Sequence, residues 1–328
     1  MLQVSPIRIG VVGTGAMGGT HTRVASAHPG CTLLGIFDTD LACAEQVGRQ
    51  YEVNVYSALD ELCAQVDAVI IATPAATHGE VAAACLQAGR HVLLEKPMTA
   101  TVDEARTLAA LSRQMDRVFM VGHVERYNPA VTVLLSLLDP SALFSCDIQR
   151  LSPAPGHDLS VNIIFDLMIH DLDLVLAYTR SPVVAVTAVG QSIRSTTMDH
   201  VSALVRFANG ATATLITSWV SHERLRAGRL FTRDVQYLID YANRELRVLT
   251  HDGSTLTTRD GHTVRANRLE QVQVPYREPL AAELDHFCQA IHTGTPPLTG
   301  ADSSVRAVEL AYAVHTAAST HETVCCNI

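Results

Sequence analysis

The chain lacks the features that send a protein into a membrane, out of the cell or onto nucleic acid. No stretch approaches the roughly 20 apolar residues that a bilayer-crossing helix needs. The opening segment MLQVSPIRIG has no basic region followed by a long apolar run. The formal net charge of −9 argues against a general binder of nucleic acid or anionic membrane, although a local cluster of arginines can still serve an anionic ligand. Eight cysteines (Cys31, Cys43, Cys63, Cys85, Cys146, Cys288, Cys325 and Cys326) include no CxxC pair and no metal-ligand rhythm. Most lie in apolar segments, where a reduced thiol behaves as a small hydrophobe, and Cys325 and Cys326 fall in an expected tail. No internal repeat or low-complexity linker interrupts the chain. Together these absences lead us to expect a soluble, cytoplasmic protein of a reducing compartment, with no metal centre and no membrane or nucleic-acid partner.

What is present is a large apolar fraction, 48% of 328 residues, enough for two domains of ordinary size. From Ile7 to His123 apolar strands alternate with helical segments: IRIGVVG, CTLLGIFD, VNVY, DAVIIAT, HVLLE and RVFMVGH are separated by helix patterns. One of these helices opens with Thr101 and Glu104 in capping-box spacing. Repeated βα units with continuous apolar strands imply a parallel sheet covered on both faces, binding ligands at the carboxyl ends of its strands.

The first strand runs into Gly13-Thr14-Gly15-Ala16-Met17-Gly18, a GxGxxG that opens a helix. In that context Gly13 permits the tight turn, Gly15 lets backbone approach a pyrophosphate and Gly18 allows close helix–strand packing, with helix N-terminal amides holding the phosphates. The second strand ends in FDTD, so Asp38 stands 20 residues after Gly18. A carboxylate there accepts from an adenosine ribose and repels a 2′-phosphate, and neither Thr39 nor Asp40 offers an arginine to welcome one. The cofactor expected is NAD rather than NADP.

The fifth strand, HVLLE, ends in Glu95, Lys96 and Pro97. A rim charge is commonly just solvated. Proline, however, fixes the backbone, and a lysine held beside a cofactor hydrogen-bonds a reacting alcohol oxygen and stabilises alkoxide character.

After His123 the pattern changes. YNPAVTVLLSLL reads as a helix, the Pro-rich SPAPGHD as a loop, and NIIFDLMIHDLDLVLAY as a helix with Asp166 and His170 at i and i+4 on one face. That pair is open to three readings: half of a metal site, a core histidine satisfied by its helical neighbour, or an acid–base couple in which Asp166 orients His170. Short strand-like runs follow, with ANG and YANR as hairpin turns, and two helices near 278–293 and 302–320 complete the chain. Arg224, Arg226, Arg229 and Arg233 lie in SHERLRAGRLFTRD, with Arg150 and Arg194 elsewhere. They are either a solvated strand edge or the forks a diphosphate wants.

GxGxxG, FDTD, IATPAATH, LLEKPMT and FDLMIHDLD together resemble the glucose–fructose oxidoreductase / inositol dehydrogenase / rhizopine catabolism (Gfo/Idh/MocA) family over nearly the whole chain. The resemblance implies a Rossmann domain, placed at residues 1–123. A substrate-binding and oligomerisation α/β domain with a large, mostly antiparallel sheet follows at residues 124–328. It also implies that Lys96 positions and polarises a substrate hydroxyl, that Glu95 lies near the cofactor with Pro97, and that Thr73, Pro74 and His78 form the nicotinamide-side loop. It favours the acid–base reading of Asp166 and His170, opposite the lysine. GHVERYNPA implies a closing loop that brings His123, Glu125, Arg126 and Asn128 to the substrate, and a diphosphate on that substrate would make Arg150 and Arg224 candidate contacts as well. Its form, with DLMIHDLD, is most similar to the branch that oxidises nucleotide sugars at C3. For this chain the implied reaction is NAD-dependent oxidation of the C3 hydroxyl of UDP-N-acetylglucosamine. The implied partners are a second or further copies, as a homodimer or homotetramer, and an aminotransferase that consumes the 3-keto product in lipid A biosynthesis. A free polyol or monosaccharide dehydrogenase and a non-catalytic NAD-binding regulator are the alternatives.

Overall fold

A computed structural model describes residues 5–154, 162–250, 253, 255–265 and 267–328, so most of the SPAPGHD segment lies outside the described residues. The chain forms two compact units, Met1–Tyr127 with Arg277–Val308 and Asn128–Tyr276 with Glu309–Ile328.

The first unit follows the expected alternation: β1 (Ile7–Val12), α1 (Ala16–Ala27), β2 (Cys31–Phe37), α2 (Leu41–Tyr51), β3 (Asn54–Val55), α3 (Leu59–Gln65), β4 (Ala68–Ile71), α4 (His78–Gln87), β5 (His91–Glu95), α5 (Val102–Gln114) and β6 (Phe119–Gly122). All six strands are parallel, in the order β3-β2-β1-β4-β5-β6. Strands buried on both faces need no alternation: every residue of AVII in β4 is buried, as are four of the five in HVLLE. The order reverses between β1 and β4, so the crevice for a ligand opens beyond the ends of those two strands. Thr101 and Glu104 form the full capping box at the start of α5.

The second unit begins with α6 (Pro129–Leu137) and β7 (Leu143–Pro153). A five-residue π-helical turn, Ile164–Met168, leads directly into α7 (Ile169–Thr179). Then come β8 (Val183–Gln191), β9 (His200–Phe207), β10 (Thr212–Ser218), β11 (Val220–Thr232), β12 (Val235–Asp240), β13 (Glu245–Thr250), a small pair β14 (Thr255–Thr257) and β15 (Thr263–Arg265), and β16 (Arg268–Val272). The nine-stranded sheet of this unit is antiparallel except where β10 runs parallel to β7. ANG and YANR make the expected hairpin turns, with Gly210 and Arg244 at positive φ.

Two features differ from the sequence expectation. The last strand, β17 (Val324–Cys325), pairs with β8 and adds an edge to the large sheet, where a tail was expected. The helix α8 (Pro279–Thr293) belongs to the first unit, and α9 (Ala301–Thr320) begins in the first unit and ends in the second. The compact units are therefore not separated by one cut after His123: the first extends to Tyr127 and recovers residues 277–308. Apolar side chains explain the return, since Leu280, Leu284 and Phe287 of α8 join Val24, Ala25, Met120 and Tyr127 in one buried cluster. Among the described residues no helix is long and apolar enough to cross a membrane, and all eight cysteines are free thiols.

Candidate active site

A cavity of about 680 Å³ opens at the carboxyl ends of β1, β2, β4 and β5, lined among others by Gly13, Gly15, Asp38, Thr73, Glu95 and Lys96. Its size suits a small-molecule or cofactor site. Gly13 turns the chain at φ +87°, and a Cβ on it would lie 2.7 Å from the Ala72 carbonyl. A Cβ on Gly18 would fall 1.8 Å from the Gly13 carbonyl, so only glycine lets α1 start this close to β1. At Gly15 no atom lies within 4 Å of that position, leaving the clearance a phosphate cradle needs. Gly15 is the N-cap of α1, makes no side-chain cap and is followed by no acidic residue in the first turn. Ala16 and Met17 open the helix, Met17 on the cavity wall. The first-turn amides of α1 thus keep their capacity for an anion, and these residues fit a dinucleotide.

Asp38 ties the second strand to the first turn. Its Oδ2 accepts from the Thr14 amide at 2.6 Å and the Thr14 hydroxyl at 2.9 Å, while Oδ1 accepts from the Asp40 amide at 2.9 Å. Burial pushes this carboxyl up, and the donors from Asp40, Thr14 and Thr39 outweigh it and hold it below the usual carboxylate range. Asp38 also lines the cavity, so a ribose hydroxyl would share the carboxylate with these donors.

At the end of β5 the Lys96–Pro97 peptide is cis. His78, nearly fully buried at the start of α4, brings its two ring nitrogens to the carbonyls of Pro97 at 2.8 Å and Thr73 at 2.9 Å. It fastens the loop after β4 to the loop after β5. Burial lowers its pKa against the opposing pull of those carbonyls. Thr73 and Pro74 line the cavity beside Lys96. Glu95 is buried and accepts from His21 Nε2 at 2.7 Å and from the Lys96 amide at 3.1 Å. Burial raises the Glu95 carboxyl, but the His21 hydrogen bond and nearby positive charge bring it below its ordinary value, so it is ionised. Sequence reasoning missed His21: it sits on the buried face of α1, where an isolated histidine gives no signal.

The remaining candidates have varied placements. His123 is buried just after β6, with Glu125 and Arg126 half-buried on the 3₁₀ turn Val124–Tyr127. Asn128 caps α6: its Oδ1 accepts from the Ala130 amide at 3.1 Å and its Nδ2 donates to the Tyr241 carbonyl at 2.9 Å. Both ends of the amide therefore serve the fold. In the second unit Asp166 lies in the π-turn and His170 in the first turn of α7, both half-buried. A continuous α-helix was expected here. The π-turn closes i→i+5 bonds and widens the spiral, a feature frequent at functional sites.

Arg150 is corrected as a substrate fork. It is 2% exposed, and its Nε and Nη2 donate to the Asp171 carboxylate at 2.7–3.0 Å. Arg224 is exposed on β11. Strand alternation puts Arg226 on the side of buried Leu230 and Arg229 on the opposite side, so the arginines of β11 do not form one cluster.

Among the described residues, one group has three potential metal ligands within 4.8 Å: His28, Cys31 and Cys288. Nδ1 of His28 accepts from the Gly30 amide at 3.1 Å, which uses the lone pair of the neutral ring. We therefore assign no metal there.

Residues 7–123 match the profile described as oxidoreductase family, NAD-binding Rossmann fold, and residues 147–238 match the GFO/IDH/MocA C-terminal domain. UDP-N-acetylglucosamine 3-dehydrogenase of Acidithiobacillus ferrooxidans is 34% identical over 88% of this chain and 90% of its own. The chain belongs to the Gfo/Idh/MocA oxidoreductase family. A solved structure of that A. ferrooxidans enzyme superposes with a TM-score of 0.90 at 32% identity, covering 97% of this chain and 99% of the other. A further relative, scyllo-inositol 2-dehydrogenase (NAD(+)) of Bacillus subtilis, is 24% identical over 91% of this chain and 90% of its own. Membership makes this chain an NAD-dependent dehydrogenase of the sugar and nucleotide-sugar class, with the Rossmann unit as its NAD-binding part.

Proposed function

We propose that the protein oxidises the C3 hydroxyl of UDP-N-acetylglucosamine to the 3-keto nucleotide sugar. The observation that carries this reading is the 34% identity, spread over nearly all of both chains, to an enzyme named for that reaction. The inositol dehydrogenase of B. subtilis stands at 24% over a similar span.

The α1 amides, Gly13, Gly15 and Asp38 would hold NAD, which would supply the hydride acceptor. Lys96 bonds the reacting oxygen and stabilises its alkoxide character through a fixed positive charge. His170 takes the hydroxyl proton and Asp166 orients its ring. The C–H electron pair leaves as hydride, the O–H proton goes to the base, and a C=O bond results. His123, Glu125 and Arg126 contact the sugar, and exposed Arg224 takes part in binding the diphosphate. In this reading Asn128 and Arg150 serve the fold, through Tyr241 and Asp171.

The large sheet has exposed apolar side chains, Phe144, Val189 and Leu204 among them, which supports a homodimer or homotetramer formed through it. Oxidation of a secondary alcohol by NAD runs uphill, so an aminotransferase consuming the ketone, as in lipid A biosynthesis, fits as the next step in the cytoplasm.

The test is thermal stability in the presence of NAD with UDP, UDP-N-acetylglucosamine, free N-acetylglucosamine or inositol. A ligand at about a hundred times its Kd adds roughly 2.7 kcal/mol. Both UDP compounds are expected to raise the Tm and the free sugars to leave it unchanged. A shift with inositol or free sugar alone overturns the nucleotide-sugar reading in favour of a polyol dehydrogenase.

A further inference from the structure

Two carboxyl groups of the first unit are buried, and the charge on one acts on the other. Glu95 ends β5 at 7% exposure, with His21 and the Lys96 amide as donors. Glu283, on α8, is 0% exposed, and neither of its oxygens has a protein hydrogen-bond partner among the described residues. Room for the Glu95 side chain comes from Gly122, where a Cβ would stand 3.3 Å from the Glu95 carboxyl carbon.

We propose that Glu283 is a positioning residue for the cofactor cavity: it is the neutral half of a buried carboxyl pair and leaves Glu95 as the anionic half, turned toward His21 and the Lys96 amide. The inference rests on the NAD-binding unit and not on which sugar is oxidised.

Two like charges in one water-poor site do not both ionise, and their protons come off as a pair. The proton stays on the member with no donors. Among the described residues Glu95 has the donors His21 and the Lys96 amide, and Glu283 has none. Burial raises the Glu283 carboxyl well above its ordinary range, and the charge on Glu95 adds to the effect. The other charged or titratable groups on the surrounding elements are His21 and Arg23 on α1, His91 on β5 and Lys96 after it, His123, Glu125, Arg126 and Tyr127 after β6, and Asp285, His286, Cys288 and His292 on α8 itself. Arg23 is paired with Glu278. Ionising Glu283 would place a second negative charge where no donor receives it. The relief is for Glu95 to leave His21 and swing toward the cavity.

The sign follows from linkage. A carboxyl raised in the folded state contributes its stability fully below the ordinary glutamate value of 4.5, and that contribution is lost as pH rises toward the folded value. Glu283→Gln keeps the shape of the neutral acid and cannot ionise.

The experiment measures Tm and NAD affinity, by cofactor fluorescence, for wild type, Glu283→Gln and Glu283→Leu from about pH 5.5 to 9. The Tm advantage of Glu283→Gln over wild type is expected to grow with pH, on the order of 2–5 °C per unit. Wild-type NAD affinity is expected to fall at the alkaline end, with that fall absent in the glutamine variant. NAD affinity near neutrality should agree within about twofold between the two proteins. Parallel wild-type and variant profiles in both measurements would overturn the proposal, and so would an alkaline loss of NAD affinity that persists in Glu283→Gln. Glu283→Leu removes the titration by another route, so it carries the same pH comparison should the glutamine protein not fold.

Discussion

Asp38 holds Thr14 through two hydrogen bonds to one carboxylate oxygen, 2.6 Å from the Thr14 amide and 2.9 Å from its hydroxyl. The residue that reads the ribose in this type of fold therefore also sets the phosphate turn. Asp38→Ala should remove both functions. Losing a hydrogen bond to a charged group costs about 1.5–3 kcal/mol, so NAD affinity is expected to fall about 10- to 100-fold, with a smaller loss for NADP. Titration calorimetry with both cofactors checks this. An unchanged NAD affinity would refute the assignment. Because the Asp38 carboxyl is held low, its share of the stability is present above the ordinary aspartate range and is lost as pH falls through its folded value.

His21 and Glu95 form a buried pair at 2.7 Å. Removing one partner of such a pair leaves an uncompensated charge and costs about 3–5 kcal/mol. His21→Ala should therefore lower the Tm sharply at neutral pH. The deficit should shrink as pH falls, because Glu95, having lost the donor that opposes its burial, takes up a proton more readily than in the wild type. Thermal melts of the two proteins as pH is lowered decide it. A deficit independent of pH would show that the imidazole acts by packing alone.

Much of the first unit was legible because parallel strands announce themselves. HVLLE and DAVIIAT are continuous apolar runs, and the turns between βα units carry Gly13, the Asp38 carboxylate and the Thr101–Glu104 capping box. The relationships that were not legible depend on burial or on distance along the chain. Glu283 is an unremarkable acid in an amphipathic helix until α8 is seen to return to the first unit. Arg150 reads as a free cation in sequence, because nothing local reports that β7 turns it inward onto Asp171. The π-turn at Asp166 leaves no mark in a periodicity that α-helix explains equally well. The last strand, Val324–Cys325, is too short to signal itself without β8 beside it.

Arg150 and Asp171 give a test that separates fold from substrate. With side chains 3% and 1% exposed, the pair should behave as a structural clamp between β7 and α7. Arg150→Ala is expected to cost about 3–5 kcal/mol, and Arg150→Met with Asp171→Leu to recover most of it. Denaturant unfolding measures both. Should Arg150→Ala keep full stability and lose affinity for UDP, the arginine would return to the substrate site.

Lys96 lines the cofactor cavity and follows the buried Glu95 carboxylate. If it stabilises developing alkoxide, its charge matters in the transition state more than in cofactor binding. Lys96→Met should then lower kcat by about 10²–10³, the usual loss for one preorganised donor, while NAD affinity stays within a few-fold. Steady-state kinetics in the direction of ketone reduction avoid the unfavourable equilibrium, and cofactor fluorescence gives the binding arm. A variant that loses NAD affinity in proportion to its rate would make Lys96 a cofactor anchor. His170→Ala should show the complementary pattern, with a rate loss of about 10²–10⁴ and, in ketone reduction where the imidazolium donates the proton, the loss of the alkaline limb of the pH profile. The two together divide proton removal from charge stabilisation: whichever variant abolishes the pH dependence carried the base.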